Sequence, residues 1–104
     1  MTDNPLLAGL RPVHPGEHLR EDVLPALGKP KAEIARLLGV SRQTLYDILG
    51  ERQPITAPMA LRIGKLVGGG GRVWLAMQQA YDLQLAEREI GEALDKIPTL
   101  EAAS

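Results

Sequence analysis

EIARLLGVSRQTLYDILGER, residues 33–52, holds two short apolar-periodic segments that meet at Gly39-Val40. Ile34, Leu37 and Leu38 form the apolar stripe of the first, and Leu45, Ile48 and Leu49 that of the second. Ala35 supplies the small side chain that two steeply crossing helices need. Gly39, four residues on, suits the left-handed position that turns the chain. Leu45 and Ile48 then face back onto the first helix. This is the spacing of a helix-turn-helix, and a plain αα-hairpin would accept almost any residue at the first two positions.

The polar run Ser41-Arg42-Gln43-Thr44 opens the second helix. Ser41 is a good N-cap, and the free N–H groups behind it form a phosphate site. In this motif the second helix enters the major groove, so its first turn faces base edges. There Arg42 can bond guanine, Gln43 can bond adenine through two hydrogen bonds, and the Thr44 methyl can meet a thymine methyl. Tyr46, one turn further, reaches a base or a phosphate. Lys31 and Arg52 are placed to hold phosphates and set register. A solvated helix end would also carry Ser, Arg, Gln and Thr, but the four together behind this turn favour base readout. Asp47 runs against that reading, because an acid repels phosphate unless it accepts from a cytosine amino group or pairs with a neighbour such as Arg52.

The rest of the chain is periodic in the helical sense, with no alternating strand pattern. A helix starts at His14-Pro15-Gly16-Glu17, with Pro15 at the first helical position, and carries Leu19, Val23 and Leu27 inward. Pro25 makes its last turn irregular or ends the helix early. The helix-turn-helix spans Pro30–Gly39 and Ser41–Gly50. Thr56 caps a further helix with Met59, Leu61, Ile63 and Leu66 inside. A glycine run, Gly68 to Gly71, then precedes a long helix over about residues 72–90, with Trp74, Met77, Tyr81 and Leu85 along one face. Ile90, Leu94 and Ile97 form one more short amphipathic turn. The expected architecture is an all-α, five-helix domain over residues 14–90. A flexible segment, residues 1–13, precedes it, and a short acidic tail, residues 91–104, follows.

At 104 residues the chain fits one domain. It holds no cysteine, which excludes disulfides, thiol catalysis and Cys-based zinc sites. With no transmembrane or signal-peptide core, a cytoplasmic location is expected. Net charge is -1, but it is segregated. Residues 1–28 carry two basic and four acidic side chains, residues 29–72 eight and three, residues 73–104 two and six. A basic middle between acidic ends suits an anionic partner for the middle and a basic one for the tail. His14 and His18 lie four apart near Glu17 and Glu21, a pair common by chance, so no metal or other cofactor is expected. No nucleophile has a base nearby in sequence, so no enzyme is expected. Trp74, Met77 and Tyr81 belong to the core of the last helix or to a dimer contact.

Four stretches together carry a family resemblance: HPGEHLREDVL, GVSRQTLYDILGERQPIT, APMALRIGKL and VWLAMQQAYDL. Over residues 14–89 the chain resembles the HigA-type antitoxins of the phage-repressor-like (XRE) helix-turn-helix family. The resemblance implies a homodimer that binds a palindromic operator in double-stranded DNA and represses its own operon. It also implies a partner, a small basic ribonuclease toxin of the HigB/RelE-like type. Ser41, Arg42, Gln43, Thr44 and Tyr46 fall on the family's DNA-reading positions. A stand-alone regulator of the same fold and a protein-interaction module are the alternatives. Where the family has a capped turn before its last helix, this chain has four glycines and Arg72, and a looser junction is expected.

Overall fold

The computed structural model describes residues 11–102. Five helices fill them. The first, α1, is built of Pro15–His18, Leu19–Val23 and Leu24–Leu27, the middle five residues wound as a π-helix. Then come α2 (Lys31–Leu38), α3 (Arg42–Leu49), α4 (Ala57–Val67) and α5 (Arg72–Asp95). The fold class is the all-α one read from the sequence. Residues 1–10 of the expected N-terminal segment, and residues 103–104, lie outside the described part.

Each residue of His14-Pro15-Gly16-Glu17 has a separate task. His14 caps α1, its Nδ1 accepting from the Gly16 N–H at 2.9 Å. Pro15 occupies a first-turn position where no N–H is needed. Gly16 lies against the Ile48 carbonyl of α3, where a Cβ would overlap the oxygen. Glu17 accepts from Arg11 at 2.7 Å.

The irregularity expected at Pro25 falls one turn earlier. In a straight α-helix the proline ring collides with the carbonyl four residues back; the wide turn before Pro25, closed by Leu24 N–H to Leu19 O, moves that carbonyl out of line. The extra residue also shifts the buried face. Leu24 joins Leu19 in the core, while Val23 and Leu27 are only partly covered.

The core gathers Leu19, Ile34, Leu45, Ile48, Ile55 and Ile63, each at most 1 % exposed, with Trp74 closing one side. Two expected core residues are outside it. Leu37 is 44 % and Leu61 66 % exposed. Both lie at apolar-periodic positions, but the buried stripes run through Ala35 on α2 and through Ala60 and Gly64 on α4. Small residues mark where helices approach most closely, so the leucines beside them point outward.

The junction expected to be loose is uncapped but closely packed. Gly68, Gly69 and Gly70 have φ of 88°, 86° and 80°, where only glycine is unstrained. A Cβ on Gly64 would overlap the backbone of Gly70 and Gly71, and one on Gly71 would lie 2.9 Å from the Ala60 backbone. Helix α5 has no side-chain cap and no acid in its first turn. It runs unbroken through Gly91 to Asp95, so Ile90 and Leu94 belong to it rather than to a separate turn. Beyond Leu85 that helix is mostly exposed, with Ile90 and Leu94 uncovered, as is Ile97 just past its end.

Candidate nucleic-acid interface

The turn between α2 and α3 is fixed by its own backbone. Gly39 has φ 75°, ψ 29°. Its N–H bonds the Arg36 carbonyl at 3.1 Å, and the Val40 N–H bonds the Ala35 carbonyl at 3.0 Å. This pair of crossed bonds is a Schellman motif, which satisfies carbonyls at the end of α2 and aims the chain into α3. Arg62 of α4 completes it, donating to the Leu38 carbonyl at 2.8 Å. A cation at the C-terminus of α2 also suits the helix dipole.

Helix α3 ends the same way with a residue that sequence reasoning passed over. The Glu51 N–H bonds Ile48 O, and the Arg52 N–H bonds Asp47 O at 2.8 Å, so Glu51 occupies the left-handed position, with φ 61°. A non-glycine there costs about 1–2 kcal/mol. The Glu51 carboxylate accepts from Arg20 of α1 at 3.3 Å, and Arg20 also donates to Leu49 O at 2.6 Å. Both helices of the motif are thus tied at their C-termini by an arginine from outside it.

At the start of α3, Ser41 Oγ accepts from the Thr44 N–H at 3.0 Å, as its N-cap role requires, and donates to Thr44 Oγ1 at 2.9 Å. Arg42, Gln43 and Tyr46 are exposed and Thr44 is half-buried. No acid stands in the first turn of α3, where Arg42 is the first residue. Lys31 holds the same place on α2. A cation at a helix N-terminus opposes the dipole, and a phosphate beside it reverses the balance. Among the described residues neither Lys31 nor Arg42 forms an ion pair.

Asp47 and Arg52 do pair. Asp47 Oδ1 accepts from Arg52 Nε at 3.1 Å and from Gln43 Nε2 at 2.8 Å, and Arg52 donates further to Tyr46 O at 3.2 Å. The structure therefore joins Gln43, Asp47 and Arg52 in one cluster, with Arg42 and Tyr46 exposed on the same helix. A phosphate contact by Arg52 has to use the N–H groups left over from that cluster.

Trp74, Met77 and Tyr81 fall elsewhere, on α5. Trp74 is buried and stacks tilted on His18, centroids 5.6 Å apart. Met77 packs against the core from its edge. Tyr81 is half-buried and meets the His14 ring edge-on at 4.9 Å. The two histidines have separate tasks, since His18 pairs with Asp22 at 2.8 Å. Burial holds His14 below the usual imidazole pKa, partly opposed by Glu51, by a hydrogen bond to the Gln53 backbone and by Asp82. Gln78, a polar residue within the apolar stripe, is buried. It accepts from the Ile55 N–H at 2.8 Å and donates to Asp82 at 2.9 Å. Its position between Trp74 and Tyr81 was the only signal of that role in the sequence.

A helix-turn-helix held at both ends, with an exposed polar turn at the start of its second helix, defines the DNA-binding class of phage-repressor-like domains. No family model matches the chain. Virulence-associated protein I of Dichelobacter nodosus is 43 % identical over 77 residues, 74 % of this chain and 71 % of that protein. Among solved structures, antitoxin GraA in complex with its operator superposes with a TM-score of 0.84 at 39 % identity, covering 98 % of this chain and all of the other. Pseudomonas aeruginosa antitoxin HigA with the higBA promoter does so at 0.82 and 36 %, covering 88 % of this chain and all of the other. The chain belongs to the HigA-type antitoxins of the phage-repressor-like helix-turn-helix family.

Proposed function

We propose that this protein is the antitoxin of a type II module: a homodimer that binds a palindromic operator in its own promoter, represses its operon and neutralises a small basic ribonuclease toxin of the HigB/RelE-like type. The single observation behind the DNA half of this reading is the start of α3, where Arg42, Gln43 and Tyr46 stand exposed behind the Ser41 cap. The relatives solved with operator or promoter DNA support it. Arg42, Gln43, Thr44 and Tyr46 read bases, while Lys31, the capped N-terminus at Ser41 and Arg52 hold phosphates.

Two such domains, paired so that their α3 helices lie one DNA turn apart at about 34 Å, read the two half-sites. The basic stretch of residues 29–72 faces the duplex. The acidic residues of α5 and the tail are available to a basic toxin, because surface charges more than about 8–10 Å apart are largely screened. The exposed Ile90 and Leu94 on the overhanging end of α5 supply apolar surface for a second subunit.

The test has two arms. The small open reading frame adjacent to the gene is expressed alone and together with this protein, and growth is followed. Arrest alone with rescue on co-expression is the expected result; no arrest would leave a stand-alone regulator. Gel shift on the gene's own promoter, against a shuffled duplex, tests autorepression. Equal affinity for both would overturn it.

A further inference from the structure

The Gln43–Asp47 contact does more than neutralise an awkward acid. Asp47 lies one turn beyond Gln43 on α3, and its carboxylate only accepts hydrogen bonds. The 2.8 Å bond must therefore come from the Gln43 amide nitrogen, which fixes the two ends of the carboxamide. Arg52, 3.1 Å from the same oxygen, holds Asp47 in place and offsets its charge. The side chain of Asp47 is 26 % exposed, against 61 % for Arg52, so the acid forms the inner part of the cluster.

What Gln43 can still offer is then defined. Its Oε1 remains an acceptor, and Nε2 keeps one N–H. One acceptor beside one donor matches the major-groove edge of adenine, which presents an N6 donor and an N7 acceptor. Guanine presents two acceptors, N7 and O6, and needs two donors. An untethered glutamine meets that demand by turning both N–H groups outward. With one of them given to Asp47, Gln43 cannot.

We propose that Asp47 is a positioning residue for base readout, holding the Gln43 carboxamide so that it accepts adenine and refuses guanine. This rests on the reading above that Gln43 touches a base. Removing Asp47 leaves the fold in place, since an exposed i, i+4 bond adds little to a helix and alanine is a better helix former than aspartate.

The experiment is selection from a randomised duplex library by the full-length wild type, Gln43→Ala, Asp47→Ala and Asp47→Asn, with circular dichroism confirming equal helix content. Affinities are then measured for the selected site and its single-base variants. Wild type is expected to prefer adenine over guanine by about 10-fold or more at one position per half-site, a preference lost in Gln43→Ala. Asp47→Ala should bind both bases there within about 3-fold, with other positions unchanged. Asp47→Asn, whose amide oxygen still accepts from Gln43, should recover part of the preference. Wild-type discrimination persisting in Asp47→Ala would overturn the proposal while leaving Gln43 a reader. Equal weakening on all sequences, or a lost preference at a different base pair, would overturn it too. A Gln43→Ala protein with the full wild-type motif would remove the base-reading role, and this proposal with it.

Discussion

Arg20 of α1 donates to the carbonyl of Leu49, the last residue of α3, at 2.6 Å, and Arg62 of α4 does the same for Leu38, the last residue of α2, at 2.8 Å. A helix C-terminus leaves carbonyls without intrahelical partners, and a guanidinium both satisfies them and suits the negative end of the dipole. The angle between the two helices is therefore set from outside the motif as well as by the Gly39 turn. Arg62→Ala should cost about 1–2 kcal/mol in urea unfolding, and Arg20→Ala should lower the midpoint as well. Neither should change the slope of log affinity against log salt. A slope reduced in Arg62→Ala would make Arg62 a phosphate contact instead of a cap.

The glycines divide by what a methyl group would meet. Gly16→Ala drives a Cβ into the Ile48 carbonyl and should destabilise by about 1–3 kcal/mol or more, as overpacking does. Gly64→Ala should act likewise against the Gly70–Gly71 backbone. Gly91, inside α5 with open space around it, behaves oppositely. Gly91→Ala should stabilise by about 0.5–1 kcal/mol, because alanine loses less backbone freedom in a helix. Thermal melts of the three variants check the order.

His14 makes stability depend on pH. Its pKa is lowered in the folded protein, chiefly by burial, so the unfolded chain binds the proton more tightly. Stability then rises with pH where the unfolded state binds more protons. The contribution is full above the ordinary histidine value of about 6.5 and is lost as pH falls below it toward the lowered folded value. His14→Asn keeps a side-chain N-cap and should flatten the part of the stability profile just below about pH 6.5. A variant as pH-dependent as wild type over that window would place the titration elsewhere.

Lys31, first residue of α2, is exposed and outside every ion pair among the described residues. Lys31→Ala should weaken binding about equally on all duplexes and lower the salt slope by roughly one. An unchanged slope removes Lys31 from the DNA contact.

The helix-turn-helix was legible because its constraints are local. Ala35, Gly39, Leu45 and Ile48 belong to two helices adjacent in sequence, and Ser41 caps its own helix. Leu37 and Leu61 misled because periodicity shows that a stripe exists but not where its centre falls; the small residues beside them, Ala35 and Gly64, carried that information. Leu24 was hidden by the π-turn, which breaks the 3.6-residue count. The roles of Arg20, Arg62 and Gln78 depend on partners 29, 24 and 23 residues away, beyond any local pattern. At the start of α3 the sequence marked the polar turn and offered Arg52 as one of two partners for Asp47, beside a cytosine amino group. It did not show Gln43 joining them, since an i, i+4 pair on an exposed helix forms only if both side chains turn the same way.

Whether the first turn of α3 reads sequence is decided by the binding of the Gln43→Ala protein. Affinity for the protein's own promoter and for a shuffled duplex, measured at one salt concentration, gives the specificity ratio. Gln43→Ala should lose about 1–3 kcal/mol on the promoter and almost none on the shuffled duplex. An equal loss on both would contradict sequence readout by that turn.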